Sequence, residues 1–356
     1  MSKLYINKTV DVAAKERMAW IFDTYENVVV SISGGKDSTV LFDLAQKEAK
    51  ARGRTMTAFF LDQEAEYRST IEHVRELMET GPHVIPRWYQ VPIRMTNATS
   101  YEQDMLHAWG PGEEWVRPKE PNSIHEAPGA PDRFYAFFEW FEQQFDAKTT
   151  CFLVGLRSEE SLNRYRAVTK HPAIEGVPWS SRSSGGVKLY PIYDFTFEDI
   201  WTYLGKFKVK YNQAYNWMWA KRFNIQEMRV SNLIHEKAFY ALGTLQEFEH
   251  DTFEALQKRL AGVHTAGMYA GEQTMYNTLA RPAAYKTWRQ YRDFLLANLP
   301  NDKADIFAKR FARQGTTEQI ARQQCKQLLV NDWENNIPVI AQADKPSSVQ
   351  KWMDLL

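Results

Sequence analysis

Six residues, Ser33-Gly34-Gly35-Lys36-Asp37-Ser38, constrain this chain more than any other feature. They follow Val28-Val29-Val30-Ser31-Ile32, a β-branched run suited to a buried parallel strand. Behind them, Thr39 to Arg52 places Val40, Leu41 and Leu44 at helical spacing, and Gly53 is the stop. Two glycines between a strand and a helix let the backbone turn tightly, so that several N–H groups can point at one anion. The helix adds the positive end of its dipole. Ser33 and Ser38 supply hydroxyl donors, Lys36 a fixed charge, and Asp37 a carboxylate to hold Mg²⁺ or orient the loop. This is not a Walker A loop. That motif needs a glycine where Val30 or Ser31 stands, and a hydroxyl residue where Asp37 stands.

The pattern continues along the chain. Asp11 to Tyr25 reads as an amphipathic helix, Met56 to Leu61 as a strand ending at Asp62, and Tyr67 to Thr80 as a helix. Val84 to Val91 and Cys151 to Leu156 read as further strands. This alternation predicts an α/β fold with a doubly wound, mostly parallel sheet and ligands at the carboxyl ends of its strands. Asp62 stands at such an end, a natural metal or ribose contact. Arg157 also follows a strand, with Arg164 two helical turns on, and the two guanidiniums could clamp a phosphate, sulfate or carboxylate. Glu160 would orient one of them; alternatively, Glu160 and Arg164 are an ordinary i,i+4 surface pair. Asp194 and Asp199 read as caps of a helix starting at Phe197.

Residues 109–132 hold five prolines and three glycines, which argues against a regular element and leaves a substrate lid or a disordered insertion. Beyond Tyr211 helical signals dominate: Leu242 to Leu260, Lys286 to Leu299 and Glu318 to Leu329. The expected division is a nucleotide-binding domain over 1–210 and a helical domain over 211–356. Lys and Arg number 44, as do Asp and Glu, so any nucleic-acid contact must be local. Between Lys286 and Lys326 there are nine Lys/Arg against four Asp/Glu. Lys309, Arg310 and Arg313 there form either a solvated face or a surface for nucleic acid or an acidic partner. Two cysteines, Cys151 and Cys325, exclude a disulfide scaffold, a four-cysteine zinc site and a four-cysteine iron–sulfur cluster built from one chain. No run approaches a membrane span and no signal-peptide core opens the chain, so the expected compartment is the cytoplasm.

The loop hexapeptide after its Val-rich strand resembles the PP-loop of the N-type ATP pyrophosphatases, which cleave ATP between the α- and β-phosphates. Phe59 to Tyr67, with Asp62 and Glu64, resembles the acidic motif after the second strand of PAPS reductases. Gly155 to Arg164 looks like their G-x-R-x-x-E-S-x-x-R motif, and Tyr190 to Trp201 is similar to the segment that follows. The resemblance implies an adenine nucleotide alpha-hydrolase-like (HUP-type) fold. It implies ATP or PAPS with Mg²⁺ held by Asp37 and Asp62, catalytic roles for Lys36, Asp37 and Arg157, and nucleotide contacts from Ser33, Gly34, Gly35, Ser38, Asp62, Glu64, Glu160 and Arg164. Reductases of the family carry a nucleophilic cysteine in a short tail, whereas Lys345 to Leu356 has none. Thiol-dependent reduction and cluster-dependent sulfur transfer are therefore disfavoured. The chain is more similar to the immunoglobulin-binding-regulator type, which carries an extra helical domain, occurs in phages and mobile elements, and is often encoded beside a ParB-like protein. Arg229 to Ala238 resembles its junction segment. The leading expectation is an enzyme attacking the α-phosphate of ATP. The alternatives are sulfonucleotide turnover with an external thiol, and a nucleotide-sensing partner protein without chemistry.

Overall fold

The computed structural model describes residues 6–340, apart from 101, 170–171, 226, 236–237, 271–277 and 279. The cysteine-free tail from Lys345 lies outside the described residues. Two compact units emerge, one within residues 1–95, 107–232 and 248–255, the other within 96–106, 233–247 and 256–356.

The first unit opens with α1 (Val10–Thr24), β1 (Asn27–Ser31), α2 (Lys36–Ala51), β2 (Met56–Leu61), α3 (Arg68–Met78) and β3 (Val84–Tyr89). After the hairpin β4 (Ile93–Thr96) and β5 (Met105–Ala108) come α4 (Phe134–Glu142), β6 (Thr150–Leu153) and α5 (Leu162–Thr169). The strands β7 (Ser180–Ser183) and β8 (Gly186–Leu189) and the helices α6 (Phe197–Lys206) and α7 (Ala214–Ala220) complete it. Six strands form one sheet in the order β3-β2-β1-β6-β8-β7, parallel except for β7 against β8. This is the doubly wound architecture the alternation predicted. Val29 and Val30 are fully buried, which is why β1 needs β-branched residues throughout. On one face Val28, Val30 and Phe60 pack with Met18, Ile21 and Phe42. On the other, Phe59 stacks on Phe141 of α4 with ring centroids 3.9 Å apart. From β1 the chain winds outward through β2 and β3, then returns to β6 on the opposite side of β1. That reversal opens a crevice at the carboxyl ends of β1 and β6.

Several local expectations change. Leu242 to Leu260 is two helices, α8 (Phe239–Phe248) and α9 (His250–Arg259). Glu249 breaks the run because its buried carboxylate accepts the Arg68 and Ser69 N–H groups at 2.6 and 2.9 Å, at the start of α3. Arg157 and Arg164 do not share one helix, since a 3₁₀ turn over Ser158–Glu160 precedes α5. At the start of α6, Thr196 and Asp199 form a reciprocal capping box, whereas Asp194 pairs with Arg17 at 2.5 Å.

The second unit continues through α10 (Val263–Met268), α11 (Trp288–Ala297), α12 (Asn301–Gln314) and α13 (Glu318–Leu329). Phe307, Phe311 and Leu328 form a core under Leu295, Leu296 and Trp333. Arg310 does not join Lys309 and Arg313 at the surface: its guanidinium donates to the Asp332 and Trp333 carbonyls beyond the end of α13. Among the described residues no helix is long and apolar enough to cross a membrane.

Candidate nucleotide-phosphate site

The loop between β1 and α2 sits at the crevice. Gly34 has φ +67°, and a Cβ there would stand 2.6 Å from Thr70 Cγ2, so glycine is required twice over. Gly35 is the N-cap of α2. Its carbonyl accepts the hydroxyls of Ser38 and Thr39, each at 2.9 Å, and Ser38 Oγ accepts the Ser33 N–H at 3.2 Å. Thr39 Oγ1 also pairs with His73 Nε2 at 2.8 Å. Burial pushes the His73 imidazole down to about 4, so it backs the loop as a neutral ring. From β6, Gly155 brings a second turn against the loop, where a Cβ would stand 3.0 Å from the Ser38 nitrogen.

Three sequence-predicted residues come together above this frame. The Asp37 carboxylate accepts Lys36 Nζ at 3.0 Å and the Arg157 Nε on its other oxygen. Arg157 also reaches Glu159 at 3.2 Å and Glu160 at 3.3 Å, and Glu160 pairs in turn with Arg164. Lys36 and Arg157 are each 4% exposed. Burial lowers the Lys36 pKa, Asp37 opposes that shift, and the charges of Arg157 and Arg229 add to it. The result is a chain of alternating charges whose cations have exchangeable partners.

The acidic residues after β2 are differently engaged. Asp62 is fully buried, and each of its oxygens accepts two donors: the Glu64 N–H at 3.0 Å and Arg117 Nη2 at 2.6 Å, then Trp88 Nε1 at 3.0 Å and Gln90 Nε2 at 2.9 Å. Glu64, at φ +66°, accepts the Trp109 N–H at 2.7 Å and the Val116 N–H at 3.1 Å. Residues 109–132 contain no named helix or strand, and these carboxylates tie down their first third. Trp109 is itself 1% exposed. Glu66 is buried nearby. Burial first, then the Asp62 charge, pushes its carboxyl up to about 8 against the pull of Arg117.

Sequence reasoning missed several contributors. The Tyr215 hydroxyl accepts the Lys36 N–H at 3.1 Å, while Asn212 Nδ2 donates to the Gly34 carbonyl at 3.1 Å. Both lie almost 180 residues along the chain from the loop, and only their Asn and Tyr chemistry could have pointed to them. Cys151 and Cys325 are fully buried. Burial raises both thiols, Cys325 to about 12, so neither is a ready thiolate.

A glycine-turned loop at the switch point of a doubly wound sheet, followed by a helical region, fits the PP-loop, adenine nucleotide alpha-hydrolase-like class. Within it, residues 27–243 match the phosphoadenosine phosphosulfate reductase domain, and the chain belongs to that family. Residues 222–332 match a further domain of unknown function, DUF3440. The chain is 30% identical over 324 residues to the uncharacterized protein YbdN of Escherichia coli, covering 84% of this chain and 78% of that one. It is 24% identical over 220 residues to an uncharacterized protein of Methanocaldococcus jannaschii, covering 58% of this chain and only 38% of that longer one. Among solved structures, similarity extends to the phosphoadenylyl-sulfate reductase of Candida auris in a phosphate complex. There the TM-score is 0.33 and the identity 13%, over 65% of this chain and 98% of that one. The FMN adenylyltransferase of Candida glabrata in complex with ATP gives a TM-score of 0.31 and 15% identity, over 57% and 58% of the two chains.

Proposed function

We propose that the chain binds ATP with its triphosphate on the Ser33–Ser38 loop and catalyses attack of an acceptor on the α-phosphorus, releasing pyrophosphate. The observation that carries this reading is the Lys36–Asp37–Arg157 network at the sheet's switch point. Loop N–H groups and the α2 dipole bind the phosphates, and Ser33 and Ser38 add hydroxyl donors. Lys36 and Arg157 stabilise the charge that gathers on the leaving pyrophosphate, leaving Asp37 when phosphate arrives. Glu160 and Arg164 hold Arg157 and a neighbouring phosphate oxygen. Phosphate-bound Mg²⁺ needs only one or two protein carboxylates, and Asp37, whose partners among the described residues are two displaceable cations, fits as one. Asp62 would have to give up Arg117 to act as the other. Held by Asp37, the ion would supply positive charge that offsets the charge of the phosphates. Nucleotide binding is assigned to residues 1–210, assisted by Tyr215, and the site of action to the cytoplasm.

The buried state of both cysteines favours an external thiol should the substrate be PAPS. Incubation of the protein with ATP or PAPS and Mg²⁺, with products identified by mass spectrometry, tests the proposal. AMP or an adenylate with pyrophosphate is the expected outcome with ATP. Thiol-dependent conversion of PAPS alone would favour the sulfonucleotide reading, and binding without turnover a nucleotide sensor.

A further inference from the structure

We infer that the Tyr215 hydroxyl competes with a phosphate oxygen for the head of α2, so that phosphate binding on the Ser33–Ser38 loop is gated by this one side chain. The inference rests on the phosphate placement proposed above and adds the residue that controls entry to it.

The first helical bond of α2 runs from the Thr39 N–H to the Gly35 carbonyl at 3.0 Å. The N–H groups of Lys36, Asp37 and Ser38 come before it, and such groups are the donors an anion takes at a helix start. One of them already has an acceptor: the Lys36 N–H donates to the Tyr215 hydroxyl oxygen at 3.1 Å. An N–H makes one good bond along its own direction. A phosphate oxygen taking this hydrogen would therefore have to stand where the hydroxyl oxygen stands.

Tyr215 also engages the other end of the same lysine. Lys36 Nζ lies over the Tyr215 ring, 5.4 Å from its centroid, and 5.5 Å from the centroid of the Phe197 ring. The backbone donor and the ammonium of Lys36, both assigned to phosphate above, are thus held by one tyrosine, the ammonium jointly with Asp37. No room is left between ring and loop. Tyr215 is 2% exposed, and its hydroxyl stands 3.4 Å from where a Gly35 Cβ would lie.

This plug is firmly based and weakly tipped. At its base, Asn212 Nδ2 donates to the Gly34 carbonyl at 3.1 Å and to Thr70 Oγ1 at 2.8 Å. Asn212 Oδ1 accepts the Ala214 N–H at 2.9 Å, which fixes the start of α7 to the loop and to α3. The Tyr215 ring packs edge-on against Trp201 with centroids 5.5 Å apart. At the tip, a neutral phenol oxygen is the weaker acceptor, because a hydrogen bond to an anionic oxygen is roughly twice as strong as one between neutral groups. A phosphate can therefore displace the hydroxyl while Asn212 keeps its hold on the loop. The help Tyr215 gives is to the loop's shape before phosphate arrives, and it is withdrawn once phosphate is bound.

The test is calorimetric titration of the whole protein with pyrophosphate and with ATP, for the wild type and Tyr215→Phe, with a melting curve of each protein before ligand is added. Phenylalanine keeps the ring against Trp201 and beneath Lys36 and removes only the competing oxygen. Loss of a neutral hydrogen bond made only before binding should tighten both ligands roughly 2- to 10-fold and lower the melting temperature. Unchanged affinities with a lowered melting temperature would make the hydroxyl a structural cap and overturn the inference. Weakened binding of both ligands would make it a contact to the bound phosphate, which overturns the inference equally. Tightened pyrophosphate in the variant, with ATP bound by neither protein, would keep the gate and sink the nucleotide reading. If neither protein binds either ligand, both fall.

Discussion

The Ser33–Ser38 loop and the acidic turn after β2 lie at the ends of neighbouring parallel strands, yet they treat their charges in opposite ways. At the loop, Asp37 is shared by two cations that could turn to a phosphate. At the acidic turn, Asp62 has both oxygens filled by side chains and backbone that are themselves buried or built into the fold. A carboxylate at a strand's carboxyl end is therefore not by position alone a ligand group. What separates the two is whether their partners can leave.

The largest expected effect comes from attacking the loop itself. A Cβ on Gly35 would press on Ser33 Oγ at 3.3 Å and on Tyr215 OH at 3.4 Å, so Gly35→Val should abolish ATP binding by calorimetry while circular dichroism stays native. Retained affinity in that folded variant would erase the contrast between the regions.

Next comes the pH response of the acidic turn. The Glu66 carboxyl is raised from 4.5 to about 8 in the folded chain, so the folded state holds its proton longer than the unfolded state. That contribution to stability is complete below about pH 4.5 and is lost as pH rises through about 8, a change of roughly 5 kcal/mol over the window. Glu66→Gln should flatten denaturation midpoints across that range. A wild-type profile already flat there would show that Glu66 has found a partner.

Asp62→Asn offers a smaller but sharper comparison. Removing one partner of the buried Asp62–Arg117 pair should cost roughly 3 kcal/mol in urea unfolding, with ATP affinity unchanged where the variant is folded. A loss of Mg²⁺-dependent affinity with little loss of stability would instead make Asp62 a metal ligand, as the sequence suggested.

Much of the first unit was legible because its signals are local. β2 spans Met56–Leu61 and α13 spans Glu318–Leu329, as read from the apolar pattern. The loop was legible because glycines, hydroxyls and a lysine sit within six residues. Glu249 was not, since a glutamate in a helical run looks the same whether it faces water or caps another helix. Tyr215, Asn212 and His73 meet the loop through contacts between distant parts of the chain, and no spacing rule carries that information. Arg310 looked like surface charge because periodicity gives a face but not the carbonyls waiting on it.

The carboxylate of Glu249 has one more consequence, for the order in which the molecule can be made. The chain leaves the first unit after residue 232 and returns to it for 248–255, and only then do the first N–H groups of α3 gain their acceptor. During synthesis the helix that touches Gly34 through Thr70 thus waits about 180 residues for its cap. A nascent chain released shortly after the sheet is complete carries every strand, yet leaves the support of its Ser33–Ser38 loop unfinished.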